Sequence, residues 1–247
     1  MRVLALDTTT RAGSVALVED DRVVDVQRGD DTRTHALRLP GEIVALLDAH
    51  RWQLSAIDLY AVASGPGSFT GLRIGIATIQ GLASVNRRRV FGISALEALG
   101  HAGSVSLGEG AWIAAWMDAH RRDVFTALYR VTAARPYSRS RLREIEGPVV
   151  GNPAAVLARW RTLTAGFSAT FVGDGAVLYA ADIGRESPAS VIAPPPELAG
   201  AMGLVAVDRA SEALEPSGVR PLYVRRPDAE LARDEKLLLS KRSSKDT

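Results

Sequence analysis

A chain of 247 residues with 47% apolar side chains is long enough to bury a full core and form one or two domains. It holds no cysteine, which excludes disulfides and thiolate chemistry, and its net charge of +2 is too small to single out nucleic acid as a ligand. No leader or spanning segment is apparent, so a cytoplasmic location is expected.

In chain order, the pattern predicts strands over 2–6, 14–18 and 22–27, joined by short linkers as an antiparallel meander. A helix follows within 36–50, with Ile43, Leu46 and Leu47 facing in and Pro40 near its first turn. A buried strand over 59–63 leads into Ala63-Ser-Gly-Pro-Gly-Ser-Phe-Thr-Gly-Leu-Arg-Ile-Gly75, and this opens a helix over 71–85. A strand over 89–93 and a helix from about Ser94 complete a mixed sheet with helices on both faces. The second half begins the same way. A strand over 111–120 carries an aspartate near its end, a second strand spans 123–131, and Ala169-Thr-Phe-Val-Gly-Asp-Gly175 is a further strand–glycine element. Residues 133–143 read as a basic, irregular connector with arginines at 135, 139, 141 and 143. Pro194–Pro196 precede a helix running to about Leu214, and 240–247 read as a disordered tail.

Two readings stand for the glycine loop. Gly65, Gly67 and Gly71 would let backbone N–H groups crowd a helix N-terminus, where an anion is favoured. Alternatively they make a tight strand-to-helix turn; neither the P-loop lysine nor the dinucleotide spacing is present. The helix that follows has only Arg73 and Gln80 as strongly polar residues, so it lacks a solvated face and needs covering twice. A protein partner is the favoured second cover; this chain's own second lobe is the alternative.

Asp7-Thr-Thr-Thr10, His35 with Leu39-Pro40, the Gly65–Gly75 block, Met117-Asp-Ala119, Val172-Gly-Asp-Gly-Ala176 and Pro221-Leu-Tyr-Val-Arg225 together resemble the TsaB (YeaZ) family, over nearly the whole chain to about Arg226. The resemblance implies a two-lobe α/β fold of the actin/Hsp70/sugar-kinase (ribonuclease H-like) type, with mixed sheets flanked by helices. The lobes would span 1–103 and 104–226, the second including the helix near 196–214, with a flexible tail over 227–247. It implies a non-catalytic scaffold, cytoplasmic and homodimeric when alone. Such a scaffold binds a TsaD-like transferase, with a TsaE-like ATPase, in placing threonylcarbamoyl on the adenosine beside the anticodon of tRNAs reading codons that start with A. Transfer RNA would be met through the complex, and no membrane is involved. The partner interface would use Leu72, Ile76, Ile79 and Ala83 of one helix with Leu39 and Ile43 of another.

The resemblance extends to relatives with metal and nucleotide sites. TsaD-like proteins hold a metal through an HxxxH pair; here His35 is followed four residues on by Leu39, so that pair cannot form. His35 is read as a capping or surface residue, and no metal site and no catalytic residue are expected. A vestigial nucleotide site would comprise Asp7, Thr8, Gly65, Gly67, Asp118, Gly173 and Gly175. No cofactor is expected on the chain itself, with ATP or ADP and Mg²⁺ at the level of the complex. The plainer readings are that Asp7 caps the Thr8–Thr10 turn, Asp118 orders the 118–123 turn, and the glycines are turn chemistry. Ser68 sits in no G-x-S-x-G elbow. The competing functions are an ATP-dependent phosphotransferase of the same fold, a glycoprotease-like metallopeptidase, and a direct tRNA binder through Arg87–Arg89 and the arginines at 135–143.

Overall fold

Residues 1–164 and 168–225 are described by a computed structural model; the tail expected over 227–247 lies outside the described residues. Its first three strands, β1 (Arg2–Asp7), β2 (Ser14–Glu19) and β3 (Arg22–Arg28), form the expected meander, with Asp7 opposite Ser14 in the first hairpin. β4 (Leu59–Gly65) adds parallel to β1, and β5 (Arg89–Ser94) parallel to β4, giving the order β3-β2-β1-β4-β5. Both faces of β1 and β4 are covered, which is why these strands read as unbroken apolar runs.

On one face lie α1 (His35–Ala49) and α2 (Phe69–Asn86), whose Ile43, Leu46, Ile76 and Ile79 pack on Leu4, Leu6, Tyr60 and Val62. Because α1 begins at His35, Pro40 stands in its second turn rather than its first and cannot donate to the Ala36 carbonyl. Ser68 caps α2 by accepting from Gly71 N–H at 3.2 Å, and Arg87, left-handed at φ 53°, ends it.

After α3 (Ala95–Gly103) the scheme repeats. β6 (Trp112–Asp118), β7 (Val124–Val131) and β8 (Leu142–Gly151) are antiparallel, and β9 (Thr170–Val172) and β10 (Val191–Ala193) join parallel, in the order β10-β9-β6-β7-β8. Each strand of this sheet thus has its counterpart in the first. α4 (Pro153–Leu163), α5 (Asp174–Leu178) and α6 (Ala180–Glu186) cover its outer face, where Trp160 of α4 meets Trp116 and Phe171. β8 and α4 occupy a stretch with no predicted element, since the edge strand β8 is half-exposed and lacks period-two alternation.

The helices between the sheets are crossed. α7 (Leu198–Asp208), expected to belong to the C-terminal lobe, packs on β1 and β2 of the first sheet, and its Ala199 N–H donates to Ser14. α3, expected in the N-terminal lobe, packs mainly on β6 and β7 of the second. One apolar core therefore runs through both lobes, from Ala5 and Phe91 through Leu99 and Met202 to Ile113 and Tyr129. α7 also stops at Asp208, short of the expected Leu214, and gives way to a 3₁₀ turn at Ala210–Glu212. Leu214 then pairs with Val90 through two backbone hydrogen bonds of 2.9 Å, covering the open edge of β5.

Three of the connector arginines, Arg135, Arg139 and Arg141, fasten the connector to the rest of the chain. Arg135 and Arg139 pair with Asp208 and Glu212 at 2.5 and 2.8 Å. Arg141 is buried and donates to the carbonyls of Thr132, Ala134, Ser104 and Leu107. Of the four connector arginines only Arg143 is exposed with no ion pair among the described residues, while Arg135 and Arg139 keep most of their side chains at the surface.

Candidate functional site

The six residues expected at a partner interface lie in the core. Leu72, Ile76, Ile79, Ala83, Leu39 and Ile43 are each at most 5% exposed and point at the sheet. The inference that α2 needs a second cover is met in part by the chain itself. Its two polar residues hold the C-terminal segment: Gln80 donates to the Pro216 and Val219 carbonyls, at 2.8 and 3.2 Å. Arg73 donates to the Tyr223 hydroxyl at 3.1 Å while its guanidinium stacks on Phe69. That segment, rather than the second lobe, flanks the helix.

What remains open is the face opposite the sheet. On α1 it carries Leu37, Gly41, Val44 and Ala45; on α2 it carries Thr70, Ala77, Gly81 and Val85. Leu37 is 68% exposed, Val44 56% and Val85 81%. Apart from the adjacent Val44 and Ala45, these positions are spaced by three, four or seven residues and form one stripe on each helix, and the two helices are neighbours. A Cβ on Gly41 or Gly81 would have nothing within 4 Å, so another backbone can approach closely there. Sequence periodicity held the signal, since Leu37 and Val44 stand off the inward stripe of α1, but it could not say which apolar stripe the sheet takes.

At the carboxyl ends of β1 and β6 the duplicated aspartates do the same job. Asp7 accepts from the N–H and hydroxyl of Thr9 at 2.8 and 2.7 Å; Asp118 accepts from His120 N–H at 2.8 Å. Burial raises the Asp7 carboxyl above its ordinary value against those Thr9 bonds, with a smaller push from Asp174. Asp174 accepts from the Asp118 and Gly175 N–H groups, and burial raises it too. The chain itself fills the spaces beside the glycines. A Cβ on Gly67 would meet Thr9, one on Gly71 or Gly75 would meet Thr8, and one on Gly65 would meet the Leu222 carbonyl. In the second lobe, Gly173 lies against the Trp116 carbonyl and Gly175 against the Met117–Asp118 peptide. The residues read as a nucleotide site are therefore brought to one end of the sheets, but the chain itself occupies the spaces beside their glycines, and as placed those glycines do not cradle a phosphate. Among the described residues no three acidic or histidine side chains converge to hold a metal.

His35 is neither a cap nor a surface residue. It is buried, contacts the Thr10 carbonyl through Nε2 at 3.0 Å, and accepts at Nδ1 from Arg38 at 2.7 Å. Burial, with the Arg38 guanidinium second, lowers its pKa, in keeping with a neutral ring whose two nitrogens are both engaged. Arg38, itself buried, also donates to the Ala12 carbonyl and to Glu42, tying α1 to the β1–β2 turn. The spacing of His35, Arg38 and Glu42 on one helical face was the available signal for this cluster.

Two sheets of identical strand order, stacked with crossed helices between them, define a two-lobe protein of the actin/Hsp70/sugar-kinase fold class. The family model described as TsaD, tRNA N6-adenosine threonylcarbamoyltransferase, matches residues 30–233. The tRNA threonylcarbamoyladenosine biosynthesis protein TsaB of Escherichia coli K12 is 35% identical over 137 residues, which are 53% of this chain and 55% of that protein. An uncharacterised protein of Mycobacterium tuberculosis H37Rv is 32% identical over 232 residues, 92% and 93% of the two chains. A solved Pseudomonas aeruginosa protein, described as similar to peptidase YeaZ, superposes with a TM-score of 0.72 at 30% identity, covering 91% of this chain and 99% of that one. The chain belongs to the TsaB (YeaZ) family. Its match spans about half the length of the E. coli relative.

Proposed function

We propose that this chain is a non-catalytic subunit in the biosynthesis of threonylcarbamoyladenosine in tRNA, and that it holds a TsaD-type transferase through the outer face of α1 and α2. The observation that carries the reading is that face: two adjacent apolar stripes with Leu37, Val44 and Val85 largely exposed, and two glycines open to close approach. A transferase described by a family model that also matches this chain would carry a related helix pair, so the two faces would be similar in shape. The same face closes a homodimer when the partner is absent. A TsaE-type ATPase joins the pair, nucleotide and Mg²⁺ act at the level of the complex, tRNA is met there, and the assembly works in the cytoplasm. Among the described residues, no helix is long and apolar enough to cross a membrane.

Burying a Val or Leu contributes roughly 1.5–3 kcal/mol, and a micromolar association totals about 8 kcal/mol, so charging two facing positions removes most of it. The test is Val44→Arg with Ala77→Arg. This variant should fold with wild-type circular dichroism yet elute apart from the transferase in size exclusion with light scattering. A one-to-one complex of unchanged affinity would refute the reading. Phosphotransfer, the second reading, finds less support because the glycine spaces are already filled; ATP turnover by the chain alone would restore it.

A further inference from the structure

The chain has two runs of arginine, and the fold treats them differently. In the connector run Arg135, Arg139 and Arg141 are engaged by carboxylates and carbonyls, with Arg143 exposed, whereas Arg87, Arg88 and Arg89 line an open cavity of about 240 Å³ between the end of α2 and the turn at Ala210–Ala213. All three arginines are exposed. One carboxylate, Asp58, lines the cavity with them. One of its oxygens accepts from Arg2 N–H at 2.9 Å, and the other stands 4.0 Å from Arg88. Arg89 leans on exposed Glu215 at 3.7 Å. Arg87 has no carboxylate partner among the described residues, and its left-handed backbone turns the chain sharply where the run begins. Arg89 also donates to the Ala213 carbonyl at 3.4 Å, so Arg87 and Arg88 hold the unspent donors, and three guanidiniums against Asp58 and Glu215 leave a net positive charge. That chemistry matches a tetrahedral oxyanion, which guanidinium binds with paired N–H donors.

We infer that the Arg87–Arg89 cavity is a phosphate-oxyanion site, taking either a backbone phosphate of RNA or a small phosphorylated ligand. The RNA source rests on the function proposed above; the oxyanion site itself does not. Two arms separate the sources. In the first, millimolar inorganic phosphate is added to the full chain alone, and thermal stability and Arg Nε resonances are followed. The wild type should respond and Arg87→Asn/Arg88→Gln should not; Asn suits the left-handed position, so the fold is kept. In the second, tRNA binding by the complex with the transferase is measured across salt concentrations. The variant should bind about three- to tenfold more weakly, with a log–log salt slope smaller by about one for each phosphate it no longer neutralises. Arg87→Lys should keep most of that slope. Loss in both arms assigns the site to RNA, and loss in the phosphate arm alone assigns it to a small ligand. Identical wild-type and variant behaviour in both arms, with the variant folded and still bound to its partner, overturns the inference. A failure of the partner to bind leaves the first arm intact, so the two readings fail separately.

Discussion

Gly71 lies so close beneath Thr8 that a Cβ on it would collide with the Thr8 carbonyl oxygen. One turn along α2, Gly75 meets the Thr8 side chain instead, where a Cβ would collide with Oγ1. The glycine block of α2 is thus a seat for the turn that Asp7 organises, and the two approaches differ in what can yield.

Gly71→Ala must move backbone and should destabilise the chain by about 3 kcal/mol or more, whatever stands at residue 8. Gly75→Ala should cost about 1–3 kcal/mol alone and be largely rescued by Thr8→Ala. The Thr8 hydroxyl is buried without a partner, so its removal should itself be close to neutral. Urea denaturation of the three single variants and of each glycine variant combined with Thr8→Ala checks this, and failure of Thr8→Ala to rescue Gly75→Ala would contradict the geometry.

Leu72→Arg and Ile76→Arg place charges at positions 1% and 5% exposed. These variants should fail to fold, unlike the outer-face pair Val44→Arg with Ala77→Arg. Circular dichroism distinguishes the sets, and a folded, monomeric Leu72→Arg/Ile76→Arg would place the interface on the wrong side of α2.

Asp7→Asn keeps an oxygen for the Thr9 N–H and removes a buried charge. Since burial raises the Asp7 pKa, the ionised carboxylate is unfavourable in the folded state and the variant should match or exceed wild-type stability at pH 7 by up to about 1 kcal/mol. Asp7→Ala, which loses the turn bonds, should cost about 1–2 kcal/mol. Melting temperatures decide it: a large loss in Asp7→Asn would mean that the charge is needed for the fold.

His101 is fully buried between the lobes, its Nδ1 without a partner, and burial followed by the Arg209 charge lowers its pKa to about 4. A folded pKa below the unfolded value of about 6.5 means that the stability it contributes is complete above pH 6.5 and lost as pH falls toward 4, by about 3 kcal/mol at most. Raised carboxyls such as Glu97 and Asp7 act in the opposite sense, so the diagnostic is the difference between wild type and His101→Phe. Urea midpoints at pH 7.5 and 4.5 should fall less in the variant; equal slopes would remove His101 from the account.

Much of the architecture was legible because its signals are local. The strand–aspartate–hairpin unit at Asp7 and again at Asp118 is written in a few residues each, and both aspartates close their own turns as read. β8 and α4 were not legible, because a half-exposed edge strand carries no alternation to detect. The residues read as a partner interface on α1 and α2 lie on the sheet side of those helices. Leu72 and Ile76 form as clear a stripe as Ala77 and Val85, and periodicity cannot tell the sheet side of a nearly all-apolar helix from its outer side.

By itself the sequence determined the duplicated α/β plan, the two aspartate turns and the absence of any thiol or HxxxH chemistry, since each depends on residue identity or on spacing within one turn. Only the tertiary structure decided that α3 and α7 cross between the sheets, that Gln80 and Arg73 bind the chain's own C-terminal segment, and that Arg135, Arg139 and Arg141 are engaged while Arg87, Arg88 and Arg89 line a cavity. Those outcomes turn on segments up to 185 residues apart in the chain meeting in space, and burial and charge pairing between such segments leave no periodic mark on either one.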